Sequence, residues 1–420
     1  MWDPYAEFKS VTLPNGLKVY AAHWPGRPWE AMGFLVHSGA EQDPAGLEGL
    51  AHFVEHLVSE NMDVKRNDAS SFFRGCGGMV DFGSTDYPST EYHFFVPKNK
   101  EVVAKALSIF GSMLLSAKIE KSIERERQVV IREFNQRYPV RFKFDLEMQE
   151  RKALYAGYWL ERFARPLGNP ESIGRITQND LQSYYDTHYT PANTSIVGVG
   201  GMKLLELVKL LSKSPFAINK KGARAPIPSS VTDFALLPEN RHVLEMSEYV
   251  NTATTLIEVG AYRSVTKIPG DVNVFAIILL IKIFNRILDE EVRDQRAWAY
   301  SIDSSYRSFR HFYQFSINCN ALAIKALDEI EEVVETCIAS IGNREDLFEQ
   351  AKGQALARNF VVDESGKDIC DNALDDLARY QRIVPLAEDA KNIERVTMTD
   401  IRNLLKWLQP ERRWTLITKP

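Results

Sequence analysis

Residues 47–59 form the stretch LEGLAHFVEHLVS, in which apolar side chains recur every three to four positions. That spacing predicts a helix with one buried face. The apolar positions are Leu50, Phe53, Val54, Leu57 and Val58. The same stretch contains the pattern His-x-x-Glu-His as His52, Glu55 and His56. Residues three and four positions apart share one face of a helix, so these three side chains are expected to point the same way.

The pattern predicts a metal centre. Two neutral imidazoles one helical turn apart suit zinc, and Glu55 is placed to activate a water molecule there. In the competing interpretation, His52 and His56 are ordinary core or surface histidines. The chain has eight histidines, and a chance match to the pattern is expected in about one of a hundred such sequences.

A catalytic zinc needs a third protein ligand, and the segment Ile123–Glu133 offers two candidates. Glu126 and Glu133 lie two helical turns apart and therefore face the same way. One of them can bind the metal while the other orients a histidine. The residues alone do not decide between them, and a helix rich in Glu and Arg is also typical of a solvated surface.

Composition restricts the class of protein. With 420 residues the chain is long enough for two or more packed units. The net charge of −5 comes without basic runs, so we expect no nucleic-acid partner. No secretory signal or membrane-spanning stretch is visible, and no membrane partner is expected. Four scattered cysteines without C-x-x-C spacing indicate reduced thiols and a cytoplasmic location.

The order of predicted elements indicates an α+β fold. A hairpin around Pro14-Asn15-Gly16 and a strand at residues 31–37 precede the metal helix. A strand follows at residues 91–96, and helices are predicted at 102–115 and 123–154. Strands and helices therefore do not alternate regularly.

An internal repeat predicts two homologous domains. The motif Ile173-Gly174-Arg175-Ile176-Thr177, followed by Asp180-Leu181, recurs 220 residues later as Ile393-Glu394-Arg395-Val396-Thr397, followed by Asp400-Ile401. A proline and a β-rich run follow each copy. We therefore expect a metal-binding domain at 1–211, a Pro- and Ser-containing linker at 212–231 and a metal-free domain at 232–420, each a mostly antiparallel sheet covered by helices. A chance local match is the alternative.

At these residues the sequence resembles the pitrilysin and insulysin family of zinc peptidases, especially the short branch that includes the mitochondrial processing peptidase subunits. In that family 76 residues separate His-x-x-Glu-His from the third ligand. Positions 57–132 make up this gap here. The resemblance therefore implies one zinc ion per chain held by His52, His56 and Glu133, with Glu126 as the orienting carboxylate. It also implies that the second half, whose helix at residues 275–288 has no histidine, binds no metal.

The resemblance implies two further substrate-binding elements. An Arg and a Tyr seven residues apart are typical of the family's second half, and Arg293 and Tyr300 match them. Ala297 and Trp298 stand where relatives usually carry Gly and Leu. Relatives also bind substrate as an added strand at a sheet edge. The corresponding residues here are Phe82, Gly83, Ser84 and Thr85, which depart from the family's Asn-Ala-x-Thr pattern.

The function implied by the resemblance is a zinc-dependent endopeptidase acting on extended peptides, with Glu55 activating the water and Arg293 and Tyr300 holding the substrate. The alternative is a non-catalytic peptide-binding or partner subunit, although such members usually lose a ligand or the glutamate. An enzyme using the metal helix for another hydrolysis has no support. Because some relatives divide the metal and the Arg-Tyr pair between two subunits, we expect a homodimer, a heterodimer with a homologous subunit, or a self-sufficient chain.

Overall fold

The structure is a computed structural model. It describes residues 3–60, 65–220, 222–229, 234, 239–245, 260–360 and 365–419. Three residues of the linker predicted at 212–231 lie outside these ranges, namely Lys221, Ser230 and Val231.

The described strands form two separate sheets. Their bounds are β1 Lys9–Thr12, β2 Lys18–His23, β3 Trp29–Val36, β4 Met79–Thr85, β5 Thr90–Pro97, β6 Thr194–Gly200, β7 Arg241–Glu245, β8 Gly260–Pro269, β9 Asp303–Ser308, β10 Phe312–Leu322 and β11 Trp414–Lys419. The first sheet has the order β1-β2-β6-β3-β5-β4 and the second has the order β7-β11-β8-β10-β9.

Helices cover both sheets. Their bounds are α1 Leu50–Glu60, α2 Arg66–Gly75, α3 Lys100–Ser116, α4 Ile123–Arg137, α5 Arg141–Tyr155, α6 Pro170–Arg175, α7 Gln178–His188, α8 Leu204–Leu211, α9 Val274–Leu288, α10 Ile330–Ile341, α11 Glu345–Phe360, α12 Gly366–Tyr380, α13 Leu386–Arg395 and α14 Met398–Leu404. No helix in the described ranges is long and apolar enough to cross a bilayer.

The two sheets share one topology. In the first, β6 pairs in parallel with β2 and antiparallel with β3. In the second, β11 pairs in parallel with β7 and antiparallel with β8. The remaining pairs in both sheets are antiparallel. This arrangement confirms the predicted fold class, an α+β duplication with mostly antiparallel sheets.

The repeated motif folds alike in both copies. Thr177 and Thr397 cap α7 and α14, each accepting a hydrogen bond from the backbone N–H of an aspartate three residues on, and each aspartate bonds back to its cap. This reciprocal arrangement satisfies two N–H groups that the helix start would otherwise leave unpaired. A single turn of 3₁₀ helix beginning at Pro191 or Pro410 then leads into β6 or β11. The repeated motif therefore forms the same helix cap in both halves of the chain.

Most predicted elements of the first half are confirmed, with one correction. The hairpin β1–β2, with Gly16 at φ 90°, and the strands β3 and β5 are present. The single helix expected at residues 123–154 is wrong, because the chain divides it into α4 and α5 around Pro139. Proline lacks the N–H that a continuing helix needs, and it disfavours helical geometry at the residue before it.

The chain divides into two compact units that are discontinuous in sequence. The first contains residues 1–144, 162–228 and 362–386, and the second contains 145–161, 229–361 and 387–420. Each unit thus takes one helix from the other half of the chain. Most of α5 belongs to the second unit, whereas α12 belongs to the first. The two helices hold equivalent positions, since α5 precedes α6 and α7 as α12 precedes α13 and α14.

In the first unit, α12 packs on the sheet face opposite α1. Its apolar side chains join a cluster with Leu35 and Val197 from the sheet. The helix approaches β3 so closely that a Cβ on Gly33 would lie 2.5 Å from Leu374 Cδ1. The division predicted at residues 212–231 stays a prediction. Within it, Phe216 is fully buried and stacks on Phe34 of the first unit, with ring centroids 5.4 Å apart.

Candidate metal centre

Helices α1 and α4 of the first unit bring three metal-ligand atoms together. Nε2 of His52 lies 3.5 Å from Oε2 of Glu133, and Nε2 of His56 lies 3.4 Å from the same oxygen. The ligand atoms of all three residues lie within 4.8 Å of one another. Both histidines lie on one face of α1, with ring centroids 4.7 Å apart.

These separations fit a tetrahedral ion. With metal–ligand distances of about 2.0–2.2 Å, two ligand atoms of a tetrahedral site lie roughly 3.3–3.5 Å apart. The two distances from the imidazole nitrogens to Oε2 of Glu133, 3.4 and 3.5 Å, lie within this range. Two imidazoles and one carboxylate also form a donor set that zinc uses in hydrolytic sites. The side chain of Glu133 is 46% exposed, so one side of the site faces solvent.

A second carboxylate lies beside His56. Nδ1 of His56 lies 3.5 Å from Oε2 of Glu126, whose side chain is buried. Arg125 contacts the other oxygen of Glu126 at 2.9 Å and Oε2 of Glu60 at 2.6 Å. A proton on Nδ1 directed at Glu126 leaves Nε2 of His56 free to bind metal, which is how carboxylates fix the tautomer of a ligand histidine.

Glu55 lies beside the ligands and is held by the edge strand β4. Thr85 donates its hydroxyl to Oε2 of Glu55 at 2.9 Å. Gly83, at φ 149°, passes directly over the carboxylate, because a Cβ there would lie 2.6 Å from Oε1 of Glu55. A side chain at position 83 would therefore displace the candidate base.

Burial and charge give the site's groups different proton affinities. Burial raises the pKa of Glu55 to about 7. Burial, together with the neighbouring His56, lowers the pKa of His52 to about 4. Burial also lowers the pKa of His56, but hydrogen bonds to Glu126 and Glu133 outweigh it and raise the pKa to about 9. A metal must displace the proton from Nε2 of His56 to bind there.

The predicted substrate strand coincides with β4. Residues 82–85 lie at one edge of the first sheet, and no strand of the described ranges pairs with the outer side of β4. The strand carries an irregularity between Asp81 and Ser84 in its register with β5. Of the predicted residues, Thr85 and Gly83 contact Glu55, whereas Phe82 is buried in the core below.

Arg293 and Tyr300 lie in the second unit, in the segment that follows α9. The side chain of Arg293 is about half exposed and contacts Asp294 at 2.9 Å. Tyr300 is 89% exposed. The backbone between them turns at Ala297, which has a φ of 51°. Left-handed backbone favours glycine, so the glycine that related proteins usually carry there has a local structural reason.

Sequence reasoning missed two contributors. Thr85 was predicted only as part of an edge strand, and its hydroxyl also anchors Glu55. Arg125 was not singled out, although it connects Glu126 to Glu60. Its position next to Glu126 was a possible indication, because a buried carboxylate needs a cationic or hydrogen-bonding neighbour.

Two family models match most of the chain. Residues 18–168 match a model described as Insulinase (Peptidase family M16). Residues 175–355 match a model described as Peptidase M16 inactive domain. The first match contains all the candidate ligands and Glu55, and the second contains Arg293 and Tyr300.

Curated relatives match about half of this chain. A probable mitochondrial-processing peptidase subunit beta from Schizosaccharomyces pombe is 30% identical over 207 residues, which cover 49% of this chain and 44% of the relative. A relative named Zinc protease PqqE from Helicobacter pylori is 25% identical over 227 residues, covering 52% of this chain and 49% of the relative. These matches span less than half of either relative's length.

Solved structures share the complete fold. A protease from Helicobacter pylori superposes with a TM-score of 0.82 at 19% identity, covering 100% of both chains. A putative M16-like peptidase from Alicyclobacillus acidocaldarius gives a TM-score of 0.80 at 18% identity, covering 99% of this chain and 98% of the other. At these identities the likeness establishes the architecture alone.

Proposed function

Because the chain belongs to the insulinase family of peptidases, peptidase family M16, we propose that it is a zinc-dependent endopeptidase that hydrolyses extended peptides. The observation that carries the proposal is the convergence of His52, His56 and Glu133 beside the buried carboxylate of Glu55. One zinc ion per chain would be held by those three ligands. When bound, zinc would supply Lewis acidity towards the scissile carbonyl and lower the pKa of a water molecule.

Glu55 would act as the general base. Its ordinary pKa lies near 4.5, and burial raises it to about 7, close to the value at which a carboxylate transfers protons efficiently at neutral pH. The hydroxyl of Thr85 holds Oε2 at 2.9 Å, leaving Oε1 to accept a proton from water and to return it to the leaving amine. Gly83 keeps the space beside this oxygen clear of a side chain.

The edge of β4 would bind the substrate. An extended peptide that adds a strand there gains backbone hydrogen bonds with little reading of sequence. Two observations support this role. The outer edge of β4 is unpaired within the described part of the chain, and its residue Thr85 contacts the candidate base. The family resemblance implies that Arg293 and Tyr300 would donate hydrogen bonds to the substrate, and both side chains are accessible to solvent.

The second candidate is a non-catalytic partner subunit. One matching model is described as an inactive domain, and several relatives are named as subunits. The inactive-domain match begins at residue 175 and so excludes the candidate ligands. We therefore favour catalysis, with assembly as a homodimer or with a homologous subunit as a further proposal. Light scattering after size exclusion would measure the mass of the assembly.

The test compares Glu55→Gln with wild type after both are loaded with zinc. We expect equal zinc content and a fall in peptide cleavage of about 10²–10⁴-fold, because the amide cannot accept the proton. Glu171→Gln, an exposed glutamate of α6, serves as the control for the loss of one carboxylate. Cleavage by Glu55→Gln at the wild-type rate would rule out this base. A wild-type protein that binds zinc and peptides but cuts none of a diverse library would favour the partner-subunit role.

A further inference from the structure

The edge strand β4 has two faces, and the candidate metal centre uses only one. Phe82 faces the core beneath α1, and Thr85 contacts Glu55. Side chains of a strand alternate between faces. Met79 and Asp81 pair with Phe95 and His93 of β5 and lie on the opposite face, which α12 covers over the neighbouring strands.

On that second face the structure has a pocket of about 230 Å³. Met79 and Asp81 form its outer wall, Phe95 and Ala31 lie on the sheet, and the first two turns of α12 close the other side. Met79 is 58% exposed although it is a large apolar residue, which places an apolar wall at the open edge of the sheet.

Three polar groups around the pocket, His93, Asp371 and Lys367, are paired with one another, whereas Asp81 at the open edge is exposed and accepts a hydrogen bond from the backbone N–H of Gly83 at 3.1 Å. Nδ1 of His93 contacts Oδ1 of Asp371 at 3.0 Å, and the ammonium of Lys367 contacts the other oxygen of Asp371. Cys370, the remaining polar side chain from α12, is almost fully buried. The lining is therefore apolar inside with a polar rim, which is typical of a site that binds an apolar group.

We propose that this pocket is a specificity subsite for one large apolar side chain of the substrate. The inference rests on the proposed function, since it requires a peptide added to the edge of β4. Alternate side chains of such a strand point to opposite faces, so those next to the metal-facing ones enter the pocket. An apolar cavity of about 150 Å³ is large enough to bind benzene, so this pocket of about 230 Å³ has room for a leucine-, methionine- or phenylalanine-sized group.

Strand direction fixes which residue of the peptide enters. Antiparallel pairing is the commoner arrangement and is the one β4 already makes with β5. A peptide running antiparallel to β4 passes Thr85 and Gly83 first and Met79 last. Glu55 lies at Gly83 and Thr85, so the scissile bond lies there. The pocket at Met79 and Asp81 therefore receives a side chain about two to four residues after the cut.

The experiment uses zinc-loaded full-length protein and a set of quenched-fluorescence peptides. The set varies one position at a time among Leu, Ala, Lys and Asp on both sides of the cut. We expect kcat/KM to favour Leu over Ala by at least about tenfold at one position two to four residues after the cut, the discrimination that an apolar pocket gives. Mass spectrometry confirms that the cleavage site does not move.

Variants at Met79 connect the preference to the pocket. Met79→Asp should reduce the preference for Leu and favour Lys at that position, whereas Met79→Ala should favour larger side chains. Val11→Asp is the matched control, because Val11 is an exposed apolar residue on β1, the opposite edge strand of the same sheet. It should leave all preferences unchanged. Thermal unfolding of each variant shows whether the fold is intact.

The outcomes separate the two proposals. If no peptide is cut, the endopeptidase proposal fails. If peptides are cut without an apolar preference after the scissile bond, or with a preference that Met79→Asp and Met79→Ala leave unchanged in folded protein, the subsite proposal alone is wrong. A preference confined to the residues before the cut also contradicts it.

Discussion

Helices α1 and α9 follow equivalent strands, β3 and β8, in two sheets of the same topology, yet of the two helices α1 alone carries candidate metal ligands. Helix α9, VFAIILLIKIFNRIL, directs eight apolar residues into the core of the second unit. Helix α1 buries His52 and Glu55 among its apolar neighbours. Burying such groups costs free energy unless partners compensate. The first copy of the fold thus buries polar groups on α1 at a cost in free energy, whereas the second copy keeps an apolar core around α9.

The surroundings of the two helices differ in the same way. Around α1, the candidate ligand Glu133 and the neighbouring Glu126 come from α4, and Thr85 comes from β4. Within the described ranges, His52, His56 and Glu133 are the one group of three or more His, Cys, Asp or Glu side chains whose ligand atoms converge. A metal centre therefore requires converging partners from several elements besides a histidine-bearing helix.

Removal of a candidate ligand from α1 should have the largest effect on zinc binding. His52→Ala should abolish tight zinc binding, with a loss larger than the roughly 10–100-fold that removal of an orienting partner costs. The control is His242→Ala, a histidine on β7 of the second unit. It should keep one zinc per chain, measured by metal analysis after dialysis. Equal zinc content in both variants would place the metal elsewhere.

Equivalent core truncations should separate stability from metal binding. Leu57 on α1 and Leu280 on α9 are both fully buried. Replacing either by alanine should lower the free energy of unfolding by about 2–5 kcal/mol, because each leaves a cavity. Only Leu57→Ala should also weaken zinc binding, since it loosens the helix that carries the ligands. Denaturant titration and a chromophoric zinc chelator measure the two effects, and weakened zinc binding in Leu280→Ala would contradict the separation.

The orienting carboxylate should have a smaller effect on the metal. Glu126→Gln should lower zinc affinity by about 10–100-fold, because the amide holds Nδ1 of His56 less strongly than a carboxylate does. Glu124→Gln is the matched control on the same helix, since Glu124 is exposed and pairs with Arg127. Competition with a chelator measures both affinities. Equal affinities would remove Glu126 from the site.

The smallest expected effect is on the pH dependence of stability, through the ion pairs that α12 and α5 make with the two sheets. Burial lowers the pKa of His93, but its hydrogen bond with Asp371 of α12 outweighs this and raises the pKa to about 11. The folded-state pKa lies above the unfolded value of about 6.5. The stabilisation, about 1.5–3 kcal/mol for a hydrogen bond to a charged group, is therefore complete below pH 6.5 and declines as pH rises towards 11.

In the second unit, an ion pair between the sheet and the equivalent helix joins Arg263 of β8 to Glu150 of α5, with Nε and Oε2 2.6 Å apart. Arginine stays protonated throughout this range. The difference in melting temperature between wild type and His93→Gln should shrink from pH 6 to pH 9.5, whereas that between wild type and Arg263→Gln should not. Parallel changes in both differences would show that His93 is not the titrating group.

The pattern of residues 47–59 was enough to predict the metal helix, because helical periodicity and the spacing of His52, Glu55 and His56 are local properties. The repeated capping motif likewise predicted the duplication. The break at Pro139 was also local and was overlooked. Helical periodicity alone could not choose between Glu126 and Glu133, because both lie on one face of α4. The family's spacing implied Glu133, and in the structure Oε2 of Glu133 lies 3.4 Å from Nε2 of His56, whereas Glu126 lies at Nδ1.

Sequence by itself determined the elements and the residue types of the site, since propensity, capping and periodicity act over a few positions. Tertiary structure alone decided that Thr85 and Gly83 fix the carboxylate of Glu55, and that the equivalent helices α5 and α12 each pack in the unit formed mainly by the other half of the chain. The physical reason is that such contacts depend on which apolar surfaces fit together across long chain separations. No local pattern encodes that fit.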